Sequence, residues 1–199
     1  MLKPTSIAAT RDRILAVAVP LFASAGYDGV SMRAIAAAVG IQAASLYNHF
    51  PDKQALYLNA MAHAFADKAR GISDTARAPG TPEERLHRFI DRFTRLMAED
   101  PDFRLLLQRE LLAGDEGRLR LVAEQVFREP FAAMSALARD LDPDGDPHML
   151  AISLAGLVLF HFETAPVRRF LPGVQAAQDD PAVIAAHVKR LLARVLPRP

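Results

Sequence analysis

A single glycine, Gly40, separates two short helical patterns and dictates how the chain around it can turn. Before it, Met32, Ile35, Ala36 and Val39 recur at helical spacing behind Ser31, a good N-cap residue. Glycine accepts the left-handed backbone that ends a helix abruptly. After the turn, Leu46 and Phe50 lie four apart and point inward, so Ser45, Tyr47, Asn48 and His49 fall on other faces. Helix, glycine turn and a second helix with an outward polar face make a helix-turn-helix, whose second helix can enter a DNA major groove. Helix pairs joined by glycine also occur as plain packing motifs, and periodicity alone leaves both readings open.

The other elements are read from caps and breakers. Residues 1–9 show no periodicity and are expected to form a loose arm. Thr10 can cap a first helix with Ile14, Ala18, Leu21, Phe22 and Ala25 inside, bent at Pro20 and stopped by Gly26. Asp52 after Pro51 caps a long helix to about Arg70, and Gly71 to Gly80 reads as a linker. Thr81-Pro82-Glu83-Glu84 is a capping box with proline at the first helical position. Helices are then expected to Glu99, from Asp100-Pro101 to Gly114, from Leu119 to a break at Pro130, from Phe131 to Leu141, from His148 to Ala165, and from Asp180-Pro181 to Leu196. The segments 142–147 and 166–180 read as loops. No stretch alternates with period two for long, so the fold class is all-α: a three-helix head over residues 1–52 and a larger helical body over 53–199.

Composition excludes several classes. The chain has 199 residues, 51% of them hydrophobic, which suffices for a sizeable core. Its net charge of +1 gives no overall basic signature, so any nucleic-acid footprint has to be local. With no cysteine there are no disulfides, thiolate metal sites or cysteine nucleophiles, which fits a reducing cytoplasm. No export signal is evident, and the apolar run Met149–Phe162 is too short to span a bilayer. A soluble cytoplasmic protein is expected.

Gly40-Ile41 followed by Ser45-Leu46-Tyr47-Asn48-His49-Phe50-Pro51-Asp52-Lys53 resembles the signature of the TetR family of bacterial transcription regulators. Leu21-Phe22-Ala23-Ser24-Ala25-Gly26-Tyr27 and Ser31-Met32-Arg33-Ala34-Ile35-Ala36 look like that family's first two helices, so the resemblance covers roughly residues 10 to 60. It implies double-stranded operator DNA as partner, with Ser31, Tyr47 and Lys53 on phosphates. Arg33, Arg11 and Arg13 add long-range attraction or form a solvated helix face. Base reading would come from Gln42, Ala43, Ala44 and Ser45, with Asn48 and His49 beside them. Glutamine can pair bidentately with adenine, and alanine methyls can touch a thymine methyl. The sequence departs from many relatives here: residues 34–51 contain no Lys, Arg, Asp or Glu, so specificity should lean on Gln42, methyl contacts and DNA shape.

The resemblance also implies a homodimer through the last two helices and a pocket for a small-molecule effector. One stripe of the last helix carries Ile184, Val188, Leu191, Leu192 and Val195, while Ala155 and Gly156 would allow close approach of the preceding helix. Candidate pocket residues are Met61, Phe65, Phe93, Met97, Phe103, Leu107, Phe127, Met134 and Phe160, with Thr94, Gln108, Ser135 and His161 as polar partners. Their character suggests an apolar or amphipathic effector, with the long helix from Asp52 as the lever. Each residue fits ordinary core equally well. Glu110 beside Arg109 reads as an ion pair. His161 and Glu163 are two apart, about 200° around a helix, and cannot share a metal directly. No phosphate loop or nucleophile elbow occurs, and nothing implies a cofactor. The expected function is a ligand-responsive transcription regulator, a repressor rather than an activator and not an enzyme. The alternatives are a helical small-molecule binder without sequence-specific DNA binding, and an enzyme built around the interior cavity.

Overall fold

Side-chain caps set where most helices begin. The computed structural model describes residues 7–196, without the side chains of 66–69, and contains no strand among them. The helices are α1 (Ile7–Gly29), α2 (Met32–Val39), α3 (Ala43–Tyr47), α4 (Lys53–Arg77), α5 (Pro82–Glu99), α6 (Pro101–Ala113), α7 (Glu116–Val122), α8 (Arg128–Leu141), α9 (Pro147–Glu163), α10 (Ala165–Arg168) and α11 (Pro181–Val195). At α5, Thr81 Oγ1 accepts from the Glu84 amide at 3.2 Å and Glu84 Oε2 accepts from the Thr81 amide at 2.9 Å. Asp52, Asp146 and Asp180 each accept amide hydrogens from the first turn they precede. An uncapped start leaves its first amides without partners, so these carboxylates fix the helix boundaries.

The chain divides into two compact units. One takes the residues up to Asp67 together with Pro101–Phe127, the other Lys68–Asp100 with the residues from Arg128 onward. In the first, α1 packs against α2 and α6, and α2 against α3, around Ile14, Phe22, Ile35, Leu46, Phe50, Leu56 and Leu106. In the second, α5 packs against α8, α9 and α11 around Phe89, Ile90, Leu137, Leu154, Val158 and Val188.

Several expectations need correction. The expected arm over residues 1–9 lies mostly outside the described residues, but Ile7 to Ala9 are already helical, so Thr10 sits inside α1 and caps nothing. Within α1 the non-helical backbone falls at Gly26 (φ 74°, ψ 176°), while Pro20 is carried inside the helix. The expected linker from Gly71 is helical to Arg77, because Ile72 and Ala76, four apart, are buried there. A Cβ at Gly71 would stand 2.8 Å from Arg92 Nε, so the glycine serves close approach to α5 rather than a break. Ahead of Pro130 the helix widens into a π turn, Ala123–Phe127, and α8 then carries the proline in its first turn. A proline ring clashes with the carbonyl four residues back, and a widened turn relieves that clash. The expected 166–180 loop holds the end of α10 and a 3₁₀ turn, Ala176–Asp179.

The turn after α2 ends as expected. Gly40 takes φ 78°, ψ 34°, its amide donates to Ala37 O at 3.1 Å, and the Ile41 amide donates to Ala36 O at 3.0 Å. These two bonds satisfy carbonyls that the helix end would otherwise leave open. No atom lies within 4 Å of a Cβ built on Gly40, so substitution there meets only the backbone penalty. Gly40→Ala should therefore lower unfolding stability by about 1–2 kcal/mol, read as a lower urea midpoint with unchanged slope. An unaltered midpoint would show that this turn tolerates a side chain.

Candidate nucleic-acid interface

The turn at Gly40 starts α3 from Gln42, whose backbone is extended (φ −70°, ψ 146°) and whose side chain makes no cap bond. The Gln42 amide is therefore not spent on its own helix. Gln42, Ala44, Ser45, Tyr47 and Asn48 are exposed, Tyr47 to 51%, whereas Ala43 and His49 are half-buried. Leu46 and Phe50 are fully buried and hold the helix down. An acceptor, a donor pair, two methyls and a hydroxyl thus lie along one short uncharged edge.

The expected phosphate-holding groups frame this edge less uniformly. Ser31 and Arg33 are exposed at the start of α2, where Ser31 Oγ accepts from the Ala34 amide at 3.1 Å. Arg11 is occupied within the fold: its guanidinium lies 4.9 Å from the Phe50 ring centroid and donates to Asn59 Oδ1. Arg13 is exposed on α1. Lys53, the first residue of α4, is half-buried, with Nζ 4.4 Å from the Tyr27 ring centroid.

Behind Lys53 lies a buried polar cluster within the same unit. Arg118 also lies over Tyr27, its Cζ 4.3 Å from the centroid, and Tyr27 meets Tyr57 edge-on at 5.1 Å. The Tyr57 hydroxyl donates to Glu110 Oε2 at 2.8 Å, and Arg118 Nε donates to Glu110 Oε1 at 3.1 Å. Glu110 is only 1% exposed. Burial, helped by its bond to Glu110, pushes the Tyr57 phenol well above the ordinary tyrosine range. Burial also raises Tyr27, against the opposing effect of Arg118. Glu110 thus pairs with Arg118 and not with its neighbour Arg109, which donates to Ala23 O (2.7 Å) and Ser24 O (2.6 Å) at the end of α1. Sequence reasoning missed this cluster because its members are far apart in the chain. The buried-side position of Glu110, seven residues after Phe103 and four after Leu106, was the available signal.

Residues 14–60 match the family model of bacterial regulatory proteins, tetR family. These residues form a TetR-family domain. Among TetR relatives, the HTH-type transcriptional repressor KstR of Mycolicibacterium smegmatis is 30% identical over 105 residues, 53% of this chain and 52% of that protein. The chain thus spans about half the length of such curated relatives. Likeness of fold extends further than likeness of sequence. FadR from Bacillus subtilis, solved with stearoyl-CoA, has a TM-score of 0.75 at 16% identity over 90% of this chain and 96% of that one. AibR, solved with isovaleryl coenzyme A and operator DNA, has a TM-score of 0.69 at 23% identity over 91% and 97%.

The candidate effector residues divide between the two units. Phe65 contacts Phe103 and Phe127 at 4.9 Å each, with Met61 buried and Leu107 half-buried in the same unit. In the other, Met97 and Met134 are buried and Phe93 stacks on Phe89 at 5.5 Å. Phe160 departs from the interior role: it is 65% exposed, on the side of α9 opposite the buried Ala151, Leu154 and Val158. A groove of about 770 Å³ in the second unit is lined by Leu86, His87, Leu141, Lys189 and Leu192, none of them a candidate. His161 meets His187 at 5.7 Å and has its pKa lowered, chiefly by burial. His148 turns instead to Phe131. Among the described residues no three acidic or histidine side chains converge as a metal site.

The Tyr57–Glu110 bond is the most exposed to test. Tyr57→Phe keeps the ring and removes one donor from a buried carboxylate, so it should cost about 1.5–3 kcal/mol of stability. Chemical unfolding of both proteins measures it, and a difference below about 0.5 kcal/mol would mean that water takes over the bond.

Proposed function

We propose that this TetR-family protein is a ligand-responsive repressor that binds operator DNA through α3. The exposed edge Gln42–Asn48, held out by the buried Leu46 and Phe50, carries this reading. Gln42 reads a base, Ala43, Ala44 and Ser45 line the groove, Asn48 and His49 flank it, and Ser31, Arg33, Tyr47 and Lys53 hold phosphates. The head corresponds to residues 1–52 and the effector and dimerisation body to 53–199. Its place of action is the cytoplasm, where the DNA is. Among the described residues no helix is long and apolar enough to cross a membrane.

One such edge reads only a few bases, and a two-fold pair of edges doubles the site. The α9 and α11 surfaces support that pairing. Met149 (61%), Ile152 and Phe160 are exposed along α9, and Val183, Leu191 and Val195 (73%) along α11. The expected α11 stripe divides: Ile184, Val188 and Leu192 turn into their own unit, while Leu191 and Val195 face out beside His187. Apolar surface of this extent marks a protein interface. The effector is apolar or amphipathic, and the thioesters bound by AibR and FadR make acyl-coenzyme A a probe of that class.

Mobility shifts on DNA upstream of its own gene test the reading, with and without isovaleryl- or stearoyl-coenzyme A. Sequence-specific retention that a thioester releases is the expected result; no specific shift at low salt would favour a binder without DNA function. Lys53→Ala should weaken binding to all duplexes and reduce the salt slope by about one. Gln42→Ala should instead relax the preference at one base by about 1–3 kcal/mol. For the pairing, sedimentation of Val195→Glu should show monomer where the parent is dimer. Equal masses would place the interface elsewhere.

A further inference from the structure

Lysine is an odd choice for the first residue of a helix. The amino end of α4 carries the positive end of the helix dipole, which disfavours a cation there. The same ammonium is half-buried over Tyr27, and a second cation, Arg118, lies equally close to that ring. The one ring is thus shared by two cations, at 4.4 and 4.3 Å from its centroid. Arg118 is in turn fixed by Glu110 (3.1 Å) and by Asp115 (3.5 Å), and Glu110 by Tyr57. Replacing a buried ion pair with apolar residues of similar volume is often neutral or stabilising, so core packing alone does not call for this arrangement.

We propose that Glu110 and Arg118 are positioning residues for DNA binding: through the Tyr27 ring they hold the Lys53 ammonium in the place where a phosphate meets it. The inference rests on the DNA-binding function proposed above. A lysine side chain loses rotamer entropy when it is held, and ordering it before binding removes part of that cost from the association. The ring also offsets the unfavourable dipole, and among the described residues the ammonium has no carboxylate partner that would compete with phosphate. Because the contact is to the DNA backbone, the relay affects every duplex alike and leaves base preference unchanged. Any event that draws Arg118 away from Tyr27 would weaken DNA binding without touching the interface.

The test combines a readout without DNA and one with it. The chain has four lysines, so reductive ¹³C-dimethylation, which preserves the charge, yields few NMR signals. Lys53 is assigned by its loss in Lys53→Arg and should be displaced by the Tyr27 ring current. Tyr27→Leu should return that signal to the position of an exposed lysine. In unmodified protein it should weaken binding to the upstream DNA and to an unrelated duplex by the same factor, about five-fold. Tyr27→Phe should restore both readouts. Arg118→Lys keeps a cation for Glu110 but loses the planar guanidinium 4.3 Å from the Tyr27 centroid, and should move both readouts in the same direction as Tyr27→Leu. A Lys53 signal indifferent to Tyr27 and Arg118 overturns the relay. So does a signal that moves while affinity does not, or a loss confined to one sequence. If the unsubstituted protein retains no duplex, the DNA-binding function itself fails, and the positioning role falls with it.

Discussion

The left-handed backbone at Gly40 is the constraint on which the interface depends. It closes α2 with bonds to Ala36 and Ala37 and redirects the chain within two residues into α3. Only that reversal lets Ile35 and Leu46 share one core while the edge from Gln42 to Asn48 remains exposed. The redirection also explains why Gln42 does not cap its own helix. A serine or threonine there would turn its oxygen back to the α3 amides, whereas the longer glutamine leaves its amide group available to a ligand.

Much of this was legible in the sequence because the deciding interactions are local. A cap needs only two or three consecutive residues, so Ser31, Asp52, the Thr81–Glu84 box and Asp180 mark helix starts in the structure as the sequence led one to expect. The failures involve partners far apart. Gly71 and Ser73 look like linker residues until Ile72 and Ala76 are seen to be buried and Arg92 to need the space that the glycine leaves. Pro130 announces an interruption, but the strain is absorbed upstream in the π turn 123–127 because the clash is with the carbonyl four residues earlier. Periodicity likewise grouped Leu191 with Leu192 on α11, although successive residues are about 100° apart and here fall on opposite sides of the burial boundary.

The outward apolar faces of α9 and α11 bear on how α3 could bind DNA as proposed. With no Lys, Arg, Asp or Glu between Ala34 and Pro51, a single copy of α3 has little electrostatic attraction to offer. Under the proposed function, binding strength then has to come from groups outside it: from phosphates at the starts of α2 and α4 and from a second copy of the same interface. The unpartnered apolar surface on α9 and α11 can supply that copy, because pairing converts the second contact into an intramolecular one.

A buried carboxylate is the least economical way to fasten a helix, and Glu110 shows what it adds. An apolar residue at that position would pack against Tyr57 and Arg118 in any of several arrangements. The carboxylate accepts from both at once, at 2.8 and 3.1 Å, and so fixes the guanidinium plane and the phenol together. Two rings and two cations are then ordered by one buried charge: Tyr57 by its hydroxyl, Tyr27 by its edge on Tyr57, Arg118 by its ion pair, and Lys53 by the ring it shares with Arg118. Dispersion and burial set how tightly α6 and α7 pack, but directional bonds to a charge set where each group points. For a cation proposed to meet a phosphate, direction matters more than tightness.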